Sequence, residues 1–169
     1  MILMLTADKN WNIGLKGKML VDLEEDLKRF KEKTTGNIII MGRKTLMAIP
    51  GEKALPNRVN IVMTRDKEFK KDGIVTVNSV DHLFKTLDKI NSDGTKKVFV
   101  TGGASIVREL LKYCDKAYIT KILKEFPQHD TSIPNLDESS DWEIVKEGNI
   151  IHQEDIKYKY IDYKRKASI

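Results

Sequence analysis

The stretch "NIIIMGRKTLMAI", residues 37–49, decides how the rest of the chain is read. Four consecutive apolar residues, Ile38 to Met41, are bounded by Asn37 and Gly42. A run that is apolar on both of its faces predicts a strand covered by helices on both sides. Gly42 then leads straight into a helical segment over 43–49, opened by Arg43, Lys44 and Thr45. The same alternation runs outward in both directions. Short apolar runs rich in β-branched residues occupy 1–7, 37–42, 58–64, 73–77, 97–102 and 116–122, and read as strands. Helical periodicity occupies 23–33, 43–49, 80–90 and 103–112. Such alternation predicts an α/β domain with a central mixed, mostly parallel β-sheet flanked by helices on both faces. From Trp142 to Arg165 two alternating segments, with Ile156, Tyr158 and Tyr160 spaced by two, predict an antiparallel hairpin added to that sheet. No repeat or Pro/Ser-rich linker interrupts the chain, so a single domain over 1–169 is expected. The long polar stretch 124–141 is the candidate functional loop.

Composition narrows the class. With 169 residues, 40% of them hydrophobic and 33% charged, the chain is globular and long enough to bury a core. "MILML" and "IIIM" are too short to span a bilayer, and the first eight residues lack a basic n-region, so a cytoplasmic protein with no membrane partner is expected. Cys114 is the only cysteine, which excludes an internal disulfide. His82, His129 and His152 lie far apart with no ligand spacing, so no metal is expected. The net charge of +5 is spread over dispersed lysines without a block of five. It suits a small polyanion, such as a phosphorylated cofactor, and no nucleic-acid-binding motif accompanies it.

Two strand–glycine–helix junctions stand out. Gly42 precedes Arg43, Lys44 and Thr45; Gly102-Gly103 precede Ala104, Ser105 and Ile106. Each reads either as a tight turn or as a phosphate site, where free N–H groups and the positive end of a helix dipole meet an anion. The full G-x-G-x-x-G and P-loop patterns are both missing. Thr64-Arg65 ends a third strand, and an arginine there would favour the 2′-phosphate of NADP over NAD.

A further anomaly lies in "VDLEEDLKRFKEKT", residues 21–34. Leu23, Leu27 and Phe30 form the apolar stripe of an amphipathic helix, and Asp26 projects from that same stripe. Asp22 and Glu25 read as a capping box, which leaves Asp26 as a possible helix-start acid. The alternative is functional. A carboxylate among apolar residues needs compensation, and a ligand with paired N–H donors on a flat heterocycle supplies it.

Together these residues resemble the dihydrofolate reductase family over essentially the whole chain. The resemblance rests on Ile13-Gly14, "DLKRFKEKT" (26–34), "IIMGRKT" (39–45), "LPNRVNIVMTR" (55–65), "VTGGASI" (100–106), "YIT" (118–120) and Asp130-Thr131. It implies hydride transfer from NADPH to the pteridine ring of dihydrofolate, with protonation of the adjacent ring nitrogen. It implies Asp26 as the acid holding the amino-pyrimidine edge, supported by Thr120. Met4, Leu5, Leu27, Phe30, Ile49 and Leu55 would line the folate cleft, with Arg58 on the substrate's α-carboxylate. Backbone contacts to the cofactor would come from Thr6, Ala7, Ile13 and Gly14. Gly42, Arg43, Lys44 and Thr45 would clasp the pyrophosphate with Gly102, Gly103, Ala104, Ser105 and Ile106. Thr64 and Arg65 would reach the 2′-phosphate, Asn78 and Ser79 the adenine, and Asn10 to Met19 would form a lid. A monomer binding only these two small molecules is expected.

Four positions depart from the family pattern. Leu20-Val21 replace its usual Pro-Trp, whose tryptophan helps hold a water near the substrate. Val107 stands for a tyrosine, Thr101 for an aliphatic residue, and Ile133 for a phenylalanine. Two other readings compete: a reductase of similar fold acting on a pyrimidine-ribose phosphate in riboflavin synthesis, and a non-catalytic nucleotide- or folate-binding module.

Overall fold

The computed structural model describes residues 1–167. Its strands are β1 (Ile2–Ala7), β2 (Asn12–Leu15), β3 (Lys18–Met19), β4 (Ile38–Gly42), β5 (Val59–Met63) and β6 (Ile74–Val77) in the first half. β7 (Val98–Val100), β8 (Lys116–Ile122), β9 (Thr131–Ser132), β10 (Trp142–Glu147), β11 (Ile151–Gln153) and β12 (Ile156–Arg165) follow. The helices are α1 (Glu24–Thr34), α2 (Arg43–Met47), α3 (Val80–Ile90) and α4 (Ala104–Leu110). The main sheet runs β10-β12-β8-β1-β7-β4-β5-β6, with β11 paired to β12. β6, β5, β4, β7, β1 and β8 are mutually parallel, whereas β12 is antiparallel to both β8 and β10. The expected mixed sheet and C-terminal antiparallel hairpin are therefore both present.

The "IIIM" run explains its own burial. Side chains alternate across a strand. Ile38 and Ile40 enter one core with Leu83, Ile106 and Leu110 from α3 and α4, whereas Ile39 and Met41 enter another with Leu46 of α2 and Phe30 of α1. Helices thus cover both faces, and each face needs its own hydrocarbon. Among the described residues no helix is long and apolar enough to cross a membrane.

The alternation on β1 fixes the site. Leu3 and Ala7 point into the α3/α4 core, and Ile2 and Met4 into the α1/α2 core. Thr6 continues the second series, which carries its hydroxyl toward α1.

Candidate active site

The N-terminus of α1 differs from the local reading. Leu23, not Asp22, is the N-cap, and no side chain of the segment caps it. Gln153 of β11 does this from a distance: its Oε1 accepts from the Glu24 amide at 2.9 Å and its Nε2 donates to the Asp22 carbonyl at 3.1 Å. Glu25 faces solvent and pairs with Lys28 at 3.2 Å. The buried stripe is also shorter than the periodicity suggests. Leu23 is buried, but Leu27 is 45% exposed. Leu27 therefore lies outside the core.

Asp26 is 6% exposed, and its compensation comes from the sheet. Thr120 Oγ1 donates to Oδ1 at 2.6 Å, and Thr6 Oγ1 donates to Oδ2 at 2.6 Å. Thr6 and Thr120 are direct partners in the β1–β8 register, so their hydroxyls emerge side by side beneath the helix. The sequence alone assigned only the Thr6 backbone a role, toward the cofactor. Its side chain sits on the acid.

The surroundings divide into walls and a far end. Met4 is buried, with Phe30, Ile49 and Leu55 packed around the same cluster. Leu5, expected beside them, packs its side chain against the opposite core. Asn60 pins the turn that carries Leu55, accepting from its amide and donating to its carbonyl at 2.9 Å each. Arg58 is half-buried, with Nε donating to Pro56 O at 2.9 Å and Nη1 to Thr34 Oγ1 at 3.2 Å at the C-terminal end of α1. Burial lowers its pKa, but a guanidinium stays charged. Val21 packs with Leu23, Ile122, Ile156 and Tyr158.

The two glycine junctions meet across the sheet. The Gly42 amide donates to Gly102 O at 2.9 Å, and the Thr101 amide and hydroxyl both donate to Ile40 O. Gly102 has φ +116°, and the position of its missing Cβ opens onto free space. Arg43 and Lys44 are exposed at the start of α2, and Ser105 at the start of α4. α2 and α4 hold only 5 and 7 residues, so local N–H groups and the two cations dominate over the helix dipole that the sequence suggested. Arg43 Nη1 lies 3.4 Å from Asp66, beside exposed Arg65. Asn78 Nδ2 donates to Thr64 O at 2.9 Å, tying the ends of β5 and β6 together. Ser79 Oγ accepts from the His82 amide at 3.0 Å as the N-cap of α3, so that hydroxyl is committed locally.

The expected lid is a small hairpin. β2 and β3 are joined by Lys16 and Gly17, both at positive φ as a two-residue turn requires. β9, within the long polar loop, pairs with β2. Asp130 N donates to Gly14 O at 3.0 Å, and the Lys16 amide donates to Asp130 Oδ2 at 2.8 Å. A Cβ on Gly14 would stand 2.8 Å from Thr131 Oγ1, so glycine is needed for this close approach. Ile13 lies in β2 and Met19 in β3 of this hairpin, and Met19 is 45% exposed.

Asp8 anchors the base of this hairpin. Sequence reading passed over it. It is fully buried and accepts from the amides of Asn10, Asn12 and Phe126 and from Asn12 Nδ2, two bonds to each oxygen. Burial alone would raise its pKa, but these bonds outweigh it and hold the acid below the usual value. An acid one residue past a hydrophobic strand is the only hint the sequence offered, and its partner Phe126 lies 118 residues away.

Comparison with known proteins follows the same boundaries. The sequence model of the dihydrofolate reductase family matches residues 1–165. The chain is 35% identical over 163 residues to the dihydrofolate reductase of Bacillus subtilis (strain 168), covering 95% of this chain and 92% of that one. It is 31% identical over 156 residues to the Staphylococcus aureus dihydrofolate reductase, covering 91% of each. Among solved structures, Enterococcus faecalis dihydrofolate reductase complexed with NADP(H) and RAB-propyl superposes with a TM-score of 0.83 at 32% identity, covering 98% of this chain and 96% of that one. Neither a riboflavin-type reductase nor a non-catalytic module is favoured by these matches. A match that spans both glycine junctions, the acid-bearing helix and the terminal hairpin leaves one assignment: the chain belongs to the dihydrofolate reductase family.

Proposed function

We propose that the chain reduces 7,8-dihydrofolate to 5,6,7,8-tetrahydrofolate with NADPH, and that Asp26 is the acid that holds the pteridine. The observation that carries this reading is the buried Asp26 carboxylate, held by Thr6 and Thr120 at the head of an apolar cleft. A carboxylate whose oxygens each keep a lone pair matches the paired N–H edge of an amino-pyrimidine ring. Met4, Leu27, Phe30, Ile49 and Leu55 supply apolar walls for the flat remainder, while Leu5 contributes through its backbone. Arg58, fixed by Pro56 and Thr34, is preorganised for the substrate's α-carboxylate.

The NADPH half is supported by the facing junctions. The open space at Gly102 is one a Cβ would fill, and Gly103, Ala104 and Ile106 continue the same turn. There a pyrophosphate could meet the backbone N–H groups, with Gly42, Arg43, Lys44, Thr45 and Ser105 adding donors and charge. Thr64 and Arg65 are the candidates for the 2′-phosphate, and Asn78 and the Ser79 backbone for the adenine side. The backbones of Thr6, Ala7, Ile13 and Gly14, with Met19 above, would border the nicotinamide end. NADPH supplies a hydride when bound. The protein's share is to align the acceptor ring on Asp26, exclude water with the β2–β3 lid, and keep a negative charge beside the ring as it takes up a proton at nitrogen. The same reading takes the enzyme as a monomer.

The test is oxidation of NADPH in the presence of dihydrofolate, followed by nicotinamide absorbance. Wild type should turn over, and Asp26→Asn should lose about two orders of magnitude or more in kcat/KM at neutral pH. NADPH affinity should stay within about twofold, since Asp26 sits outside the phosphate junctions. Near-wild-type activity in the variant would remove Asp26 from its assigned role. No turnover by wild type with NADPH bound would favour a binding module.

A further inference from the structure

The geometry points to Thr6 as a positioning residue for the acid: its hydroxyl and that of Thr120 together fix the plane of the Asp26 carboxylate. The inference rests on the reading of Asp26 as the group that holds the reduced ring. One bond cannot set that plane. The terminal torsion of an aspartate is broad and roughly twofold, so a carboxylate held at one oxygen still rocks about its Cβ–Cγ bond. Here each oxygen has its own donor at 2.6 Å, Thr120 on Oδ1 and Thr6 on Oδ2. The donors come from adjacent parallel strands in direct register, so the sheet itself sets their separation. Thr is β-branched and stiff at χ1, which keeps each hydroxyl on its oxygen.

The consequence is a defined acceptor pattern. An ionised carboxylate has two acceptor sites on each oxygen. One per oxygen is taken by a threonine, which leaves a single free site on each, side by side in one plane. That pair fits two parallel N–H donors on a planar ring. Without Thr6, Oδ2 would hold two free sites and the plane could turn away from the ring. Thr6 touches the acid and acts through it.

The experiment compares Thr6→Val, which keeps the branched shape and removes the hydroxyl, with Thr6→Ser, which keeps the hydroxyl. Three readouts are taken: binding of 2,4-diaminopyrimidine as a probe of the paired-donor edge, binding of NADPH, and kcat and KM with dihydrofolate. Thr6→Val should weaken the probe and lower kcat/KM by about tenfold, with NADPH binding unchanged, and Thr6→Ser should recover to within about threefold of wild type. Wild-type behaviour in Thr6→Val, or equal loss in both variants, would overturn the proposal, the second because it assigns the loss to packing. If Thr6→Val does not fold, Thr6→Ala takes its place in the same comparison, with the same outcomes deciding. Wild type that binds the probe yet never oxidises NADPH with dihydrofolate would overturn the reductase reading alone, since the valine–serine comparison of probe binding would still decide the role of Thr6.

Discussion

Lys121 offers a sharp test of the energetics beside the site. It follows Thr120 on β8, so it points into the opposite core, where it is 7% exposed. Among the described residues its ammonium has no hydrogen-bond partner, and it lies 3.5 Å over the Trp11 ring. Burial pushes its pKa from 10.5 down to about 8, although Asp137 and Asp8 pull the other way. The sign follows. Between pH 8 and 10.5 the unfolded lysine holds a proton that the folded one does not, so stability rises with pH across that window. Below pH 8 both states are protonated and the full penalty applies, corresponding to about 3 kcal/mol. The contact with Trp11 favours the charged form by about 1–2 kcal/mol, which narrows the window from its lower end and leaves a net penalty of about 1–2 kcal/mol. Lys121→Met, which keeps the stem and removes the charge, should therefore stabilise the protein by about 1–2 kcal/mol at pH 7, raising Tm by roughly 2–8 °C. The assay is urea unfolding of both proteins at a series of pH values from 7 to above 10.5, read as the difference between them so that other lysines and tyrosines cancel. The gap should close as pH rises through the window. A variant that is less stable at pH 7, or a gap that does not change with pH, would refute the assignment of the penalty to a buried ammonium.

Three other outcomes are expected. Arg65→Ala should weaken NADPH by about tenfold and leave NADH nearly unchanged, measured by equilibrium titration of each; equal losses would take the 2′-phosphate away from Arg65. Gly42→Ala places a Cβ 3.1 Å from Ile106 Cγ1 and 3.8 Å from the Gly103 amide, so it should press on the junction. Its cost, about 1 kcal/mol or more, should appear as weaker NADPH binding in calorimetry with dihydrofolate KM little altered. Cys114 is 1% exposed and burial pushes its thiol up to about 11, so a chromogenic disulfide should label it at the rate of global unfolding, and urea should accelerate that labelling steeply.

What the sequence made legible follows from where the physical signal is stored. The "IIIM" run carried the two-sided sheet because a strand buried on both faces has no polar alternate. Asp26 was legible because it broke a helical period. The capping box was misread because Gln153, from a strand near the other end of the chain, supplies the cap, and no local pattern encodes such a partner. The helical period put Leu27 in one stripe with buried Leu23, because a cleft wall and a core wall look alike in that code; only the family resemblance separated the two. The β2–β3 hairpin and β9 were read only as a lid and a polar loop, since strands of two to four residues carry too little alternation to be seen.

Thr6 shows the deepest limit. Threonine is an ordinary strand residue, so "MILMLTA" gave no reason to look at it twice. Its meaning depends on its register with Thr120 and on the helix that lays Asp26 across both hydroxyls. The same geometry bears on Val21, which stands where the family commonly has a tryptophan. Val21 has no side-chain hydrogen-bonding atom, and it joins a hydrocarbon cluster with Leu23, Ile122 and Ile156. Its side chain cannot hydrogen-bond the acid or a solvent molecule. Each oxygen of Asp26 nevertheless has one donor, and both donors come from the sheet. These two donors do not involve position 21, so the absence of a polar side chain there leaves the acid in place.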